Sequence, residues 1–280
     1  MGRIEAAFAK RAGRKALIPF LNTGDPDFDT SVELFRTVIR AGADIVEIGA
    51  PYSDPLADGP VIQASAVRSL KSGFSLPSVF EMTSLLRADT DAGLVLFSYF
   101  NPLLQYGIDR FFQDAVNAGA DGVIVPDLPF EESADVLSAA DASGIHLIPL
   151  VAPTSSEERV RKICEHARGF VYCVSSLGVT GERATMSERL QDLVKTAKAY
   201  TNVPVAVGFG VSTPLQARNI ARFADGVIIG SAYIRRIEAA LHDKDVQSGR
   251  QHAIDAVESF TRELSEAIDD VNELMREGVE

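Results

Sequence analysis

The sequence predicts an α/β fold, a single (β/α)8 TIM barrel spanning residues 1–280 with additional N-terminal and C-terminal helices. Three observations carry that expectation. Eight short runs rich in Val, Ile and Leu recur along the chain, and they are nearly continuous in hydrophobicity rather than alternating. Strands of a parallel sheet look this way because both faces are covered. Segments with helical periodicity lie between the runs, so strand and helix alternate. The phrase "AGAD" occurs at 41–44 and again at 118–121, and "FAD" occurs at 223–225, each time just before a run.

The eight runs are ALIPFLN (16–22), DIVEIGA (44–50), GLVLFSY (93–99), GVIVPD (122–127), HLIPLVA (146–152), FVYCVS (170–175), VPVAVGFG (203–210) and GVIIGS (226–231). After the first, TSVELFRTVIRAG places Val32, Phe35, Val38 and Ile39 on one stripe, with Gly42 as a stop. DRFFQDAVNAGA repeats the pattern with Phe112, Val116 and Gly119. STPLQARNIARF opens on a Ser/Thr cap followed by a proline suited to a first helical turn. The segment from Asp245 to Arg276 carries Ala253, Val257, Phe260, Leu264, Ile268, Val271 and Leu274 at helical spacing and reads as the eighth outer helix. A doubly wound open sheet is the competing architecture. No glycine-rich GxGxxG follows the first run and the gaps are regular, which favours the closed barrel.

Composition narrows the function classes. Of 280 residues, 46% are hydrophobic, enough for a large core, and no run reaches the length of a membrane span. The net charge of −12 argues against a nucleic-acid surface. The acidity is concentrated: residues 243–280 hold eleven acids and four bases. There it reads as a solvated helix face. The opening MGRIEAAFAKRAGRK is charged and lacks the apolar stretch of a signal peptide. Two cysteines, Cys164 and Cys173, and four scattered histidines suggest neither a disulfide nor a zinc site. A reducing cytoplasm is the expected location.

In such barrels the chemistry lies at the carboxyl ends of the strands. The residues there are Asn22 and Asp25, Glu47, Tyr99 and Asn101, Asp127, Tyr172 and Ser175, then glycines. Glu47 stands out because it sits between Val46 and Ile48 in an apolar run. Burial raises a carboxyl pKa, which suits a group that gives and takes protons near neutrality. The alternative is a structural carboxylate paired with a base or a backbone N–H. Asp58 closes the loop EIGAPYSDPLADGP that begins at Glu47, so the two acids can converge over the barrel mouth. Two carboxylates in unlike environments divide acid/base work from electrostatic orientation. Asp54, in Ser-Asp-Pro, reads first as turn chemistry.

A second constellation is SSLGVTGERA (175–184), GFGVSTP (208–214) and GSAYI (230–234). Glycines at consecutive strand ends let backbone N–H groups approach an anion, and a helix start adds its positive end. A phosphate is the expected occupant. There is no GxxxxGK[ST] loop for a nucleoside triphosphate. The polar stretch from Leu177 to Ser187 reads either as a lid or as an ordinary surface loop.

The motifs PFLNTGDP, AGADIVEIGAPYSDPLADGPVIQ, SYFNP, GVIVPDLPFEES, GFVYCVSSLGVTG, VGFGVSTP and GVIIGSA resemble the tryptophan synthase alpha family, in order, over about residues 17–235. The resemblance implies a barrel that cleaves indole-3-glycerol phosphate to indole and glyceraldehyde 3-phosphate. Glu47 matches the family's acid/base, Asp58 the carboxylate on the indole N–H, and Tyr172 a tyrosine near Glu47. Phe20, Tyr99 and Phe209 would line the indole pocket. Gly181, Gly210, Gly230 and Ser231 would hold the phosphate, and Thr180 would close toward Asp58. Pro51 and Asp54 would face a beta subunit that carries pyridoxal phosphate, in an alpha2beta2 complex. This chain would need no cofactor of its own, no metal, no nucleic acid and no membrane. Ser176–Leu177 stands where some members carry a basic residue. Other readings are a non-catalytic allosteric subunit of a pyridoxal-phosphate enzyme, another phosphate-binding barrel enzyme such as a phosphosugar isomerase, and a free-standing lyase that releases indole.

Overall fold

The structure, a computed structural model, describes residues 2–10, 15–174, 183–208, 210–241 and 246–276. Among these residues nine strands form one parallel sheet: β1 Ala16–Asn22, β2 Ile45–Gly49, β3 Gly93–Phe97, β4 Gly122–Ile124, β5 His146–Leu147, β6 Leu150–Val151, β7 Val171–Val174, β8 Val205–Gly208 and β9 Gly226–Ile229. The order is β5-β4-β3-β2-β1-β9-β8-β7-β6. Its two ends are β5 and β6, two pieces of one extended segment around Ile148 and Pro149. Ile148 N–H donates to Val123 on the β4 side at 2.9 Å, and the Pro149 carbonyl accepts from Tyr172 on the β7 side at 2.9 Å. The segment therefore bridges both neighbours and closes the sheet into the expected eight-strand barrel. Proline has no N–H to give, which divides the fifth run into two short strands.

The helices are α1 Arg3–Ala9, α2 Phe28–Arg40, α3 Pro60–Lys71, α4 Pro77–Arg87, α5 Phe100–Tyr106, α6 Ile108–Ala118, α7 Ala134–Ser143, α8 Glu157–Glu165, α9 Arg183–Ala199, α10 Pro214–Ala221, α11 Ser231–Leu241 and α12 Val246–Arg276. The end signals act as the sequence suggests. Gly119 takes a left-handed conformation just past α6. Thr213 caps α10, whose first residue is Pro214. The stripe from Ala253 to Val271 on α12 is buried. α12 packs on α10, α11 and α2, so it fills the eighth outer position, while α11 is an extra helix at the mouth. At the opposite end α1 closes the barrel floor. Its Ile4 joins an interior cluster that includes Ile18, Ile45, Val95, Ile124 and Phe170, and Phe8 packs on Phe170 with ring centroids 5.7 Å apart.

The repeated aspartate before certain strands has a common task. Asp44 N–H donates to the Leu17 carbonyl at 3.0 Å, and the Asp44 carboxylate accepts from Leu17 N–H at 3.0 Å. Asp121 makes the same reciprocal pair with Leu94, at 2.8 and 2.8 Å. Asp225 makes it with Val205, at 2.8 and 3.0 Å. Each carboxylate satisfies a backbone donor near the start of a strand and locks the register of two adjacent strands across the intervening helices.

Hydrogen bonds to a charged acceptor contribute about 1.5–3 kcal/mol. We therefore expect Asp121→Ala and Asp225→Ala each to lower unfolding free energy by about 2 kcal/mol or more, since each also loses an ion pair with Arg87 or with Lys15 and Lys198. Urea unfolding measures this, and a loss within error of zero would remove the clamp from the account.

Candidate active site

Parity along the strands decides what faces the barrel interior. Phe20 pairs in register with Glu47, and Glu47 with Val95. Phe20, Glu47 and Tyr172 line a cavity of about 290 Å³ at the mouth. Glu47 is 1% exposed, and its Oε1 has no hydrogen-bond partner among the described residues. Burial pushes its carboxyl well above the ordinary range, with no neighbouring cation to offset it. Its unpartnered oxygen lies at the cavity and meets neither a base nor a backbone N–H among the described residues.

Asp58 reaches the same cavity from the loop after β2. Burial raises its carboxyl to about 6, and a hydrogen bond from Tyr99 opposes the rise. The loop is built to hold it there. The Tyr99 hydroxyl accepts from Ala57 N–H at 3.1 Å, and Tyr52 packs on the Tyr99 ring at 5.4 Å. Asn101 donates to the Tyr52 hydroxyl at 3.1 Å. Gln63 donates to the Asp58 carbonyl at 2.8 Å, tying the loop to α3. α3 is pinned in turn by buried Asp25, which takes both arms of Arg68 at 2.8 Å and accepts from Ser65 at 2.5 Å. Asn22 donates to Ser65 at 2.9 Å.

Two glycines are sterically required. A Cβ at Gly208 would stand 2.7 Å from ring carbons of Tyr172, so its absence lets the tyrosine lie across the cavity wall. Burial, followed by the nearby Glu47 and Asp58 charges, pushes the Tyr172 phenol well up, so it stays a neutral donor. Gly210 has φ of +40°, outside the range an L side chain favours. Gly210, Gly230 and Ser231 line the side of the cavity where α11 begins. The first N–H groups of a helix have no intrahelical acceptor and attract an anion.

The structure thus brings together Phe20, Glu47, Asp58, Tyr172, Gly210, Gly230 and Ser231. Thr180, Gly181 and Phe209 lie outside the described residues, as do Ser175, Ser176 and the 177–182 part of the lid stretch. Tyr99, expected in the pocket wall, instead stands behind the loop as the support of Asp58. Pro51, expected at a partner surface, is buried beneath the loop, whereas Asp54 is exposed. Asp127 accepts from Phe100 N–H at 2.9 Å and caps α5. Sequence reasoning missed Ile62, Phe97, Pro126, Leu150 and Val174 in the wall. The signal for Phe97 was available, because it lies two residues beyond the inward Val95. Burial pushes the Cys164 and Cys173 thiols up to about 11 and about 12, so neither serves as a thiolate. Among the described residues no three His, Cys, Asp or Glu side chains are grouped to hold a metal ion. None of the helices there is long and apolar enough to cross a membrane.

The sequence profile of a family described as tryptophan synthase alpha chain matches residues 6–268. A tryptophan synthase alpha chain from Thermoanaerobacter sp. (strain X514) is 44% identical over 270 residues, 96% of this chain and 100% of that one. One from Synechococcus sp. (strain CC9902) is 50% identical over 232 residues, 82% of this chain and 86% of that one. The crystal structure of tryptophan synthase subunit alpha from Legionella pneumophila str. Paris aligns at a TM-score of 0.86 with 38% identity, covering 96% of this chain and 99% of that one.

The hydrogen bond from Tyr99 favours ionised Asp58, so Tyr99→Phe should move the Asp58 midpoint upward from about 6. Carbon-13 NMR titration of labelled aspartate reads this directly. A midpoint that stays put or falls would detach Tyr99 from Asp58.

Proposed function

Because the chain belongs to the tryptophan synthase alpha chain family, lyases that cleave indole-3-glycerol phosphate into indole and glyceraldehyde 3-phosphate, we propose that Glu47 and Asp58 perform that retro-aldol cleavage here. The observation that supports the roles most directly is the buried Glu47 carboxyl with an unpartnered oxygen, sharing one cavity with Asp58. Glu47 begins protonated and delivers its proton to indole C3. That makes C3 tetrahedral and places positive charge on the ring nitrogen. Ionised Asp58 accepts the indole N–H and stabilises that charge. Glu47, now a carboxylate, takes the proton of the glycerol hydroxyl next to the breaking bond. The C–C bond electrons return to the ring, the hydroxyl carbon becomes an aldehyde, and Glu47 is protonated again. Tyr172 orients the group beside Glu47. Gly210, after β8, and Gly230 and Ser231, at the start of α11, receive the phosphate through backbone N–H groups.

The chain is the alpha member of a partnership with a beta subunit. In the proposed assembly, an alpha2beta2 complex, the surface that docks this partner is the loop 51–59 together with α5. There Leu56 is 92% exposed and Leu104 is 49% exposed, and Asp54 is exposed as well. Pyridoxal phosphate belongs to that partner, which joins the released indole to serine. A cytoplasmic location completes the proposal.

Indole release by the purified chain, with and without a cognate beta subunit, tests this reading. Cleavage that rises on adding the partner is expected, and none under either condition would overturn it. Glu47→Gln should lower kcat by about a thousandfold with the fold intact, because a general acid/base supplies roughly 10²–10⁴-fold. Asp58→Asn should cost about a hundredfold or more, since a neutral amide cannot stabilise the ring charge. Asp58 works ionised, so kcat/KM should fall on the acid side with a midpoint near its pKa of about 6. A profile flat from pH 5 to 7 would contradict that assignment.

A further inference from the structure

The cavity that holds Glu47 and Asp58 is one of two adjacent spaces. A second cavity of about 320 Å³ lies between β4, β6 and the helices α7 and α8. Pro126, Leu150 and Val174 line both. These shared residues form the wall between two chambers of similar size. Beyond them the second cavity is lined by a mixture of groups, with Leu137, Leu147, Ile163 and Phe130 on its apolar part and Arg159 and His166 among its polar ones.

The position of this wall relative to substrate follows from the sheet order. The glycines and the α11 start that suit a phosphate belong to β8 and β9. In the closed sheet β3 and β4 lie diametrically across from β8 and β9. On that far side the first cavity is apolar, with Phe97 from β3, Pro126 after β4 and Leu150 from β6. A molecule with its phosphate at α11 and its nitrogen at Asp58 directs its aryl ring at this wall. An apolar wall limits ring size by exclusion, and each added carbon that must be refused or accepted changes selectivity by about 10–200-fold.

We propose that Leu150, with Val174 and Pro126 beside it, is the specificity-determining partition of the aryl subsite, and that removing its side chain joins the two chambers and admits ring-substituted indoles. This rests on the functional reading above. The native wall keeps the second chamber out of the reaction, and the leucine is the part of the wall whose removal costs no backbone geometry.

The test runs the reaction in the condensing direction, with glyceraldehyde 3-phosphate and either indole or 4-, 5-, 6- or 7-phenylindole. Here the C–C bond forms at indole C3, the aldehyde oxygen takes a proton, and C3 gives one up. The readout is the ratio of kcat/KM for each phenylindole to that for indole. For Leu150→Ala the ratio should rise at least about tenfold over wild type for one or more phenyl positions. Val174→Ala, a milder change, should raise it in the same direction and covers the case in which Leu150→Ala does not fold. Leu137→Ala enlarges the second chamber without touching the wall and should leave the ratio at the wild-type value. Placing Leu137→Phe in the Leu150→Ala background should reverse the gain by refilling the space. Unchanged ratios in both wall variants would overturn the partition, as would an equal rise in Leu137→Ala. Failure of the wild-type chain to condense unsubstituted indole would overturn the functional reading itself, and the inference with it.

Discussion

A carboxyl group closed into the mouth of the barrel without a counter-charge is the constraint around which the site is arranged. Burying an ionised carboxylate costs several kcal/mol, so burial favours the protonated form of Glu47. What keeps it there is sheet register. β2 is paired on both sides, with Phe20 and Val95 opposite Glu47. A slip of one residue would send Glu47 outward and expose an entire core face, so the strand has nowhere to move. Gly49, two residues on, completes the fit: a Cβ there would strike the Phe20 ring. The upward shift of the Glu47 carboxyl is thus a consequence of its position in the sheet.

Asp58 is held by the opposite strategy. It sits on a loop, and its placement is a chain of polar contacts running from Tyr99 and Gln63 through α3 to the Asp25–Arg68 pair. Its pKa of about 6 leaves it mostly ionised at neutral pH, while burial pushes the Glu47 carboxyl well above the ordinary range. One carboxyl is set by the sheet and the other by side-chain contacts to a loop. Leu56, the most exposed large apolar residue described, lies two positions before Asp58 on that same loop. In the proposed assembly, a subunit covering Leu56 would press on the segment that carries Asp58, which would link partner binding to the proposed chemistry.

Much of this was legible in the sequence, for identifiable reasons. The eight strands were visible because two-sided burial leaves uninterrupted apolar runs, and Glu47 was visible because it interrupts one. α10 and α6 announced their ends through Thr213–Pro214 and Gly119. The break at Pro149 and the added helix α11 were not foreseen, since both depend on how the barrel closes rather than on local pattern. The resemblance implied a place for Tyr99 in the pocket wall and for Pro51 at a partner surface, yet the Tyr99 hydroxyl holds Ala57 in the loop and Pro51 is buried. The apolar members of the wall, such as Leu150 and Val174, were invisible because an inward leucine in a strand looks like any core residue.

The reciprocal aspartate pairs at the strand starts divide the chain into cassettes. Each joins two strands and everything between them: residues 17–44, 94–121 and 205–225. The turn at 72–76 between α3 and α4 lies outside all three. The polypeptide therefore has natural seams. New termini opened at such a seam leave every cassette whole, whereas a break inside α2 or α6 separates a carboxylate from the amide it serves. Rearranged by circular permutation, the same catalytic mouth can be assembled from a chain that begins elsewhere.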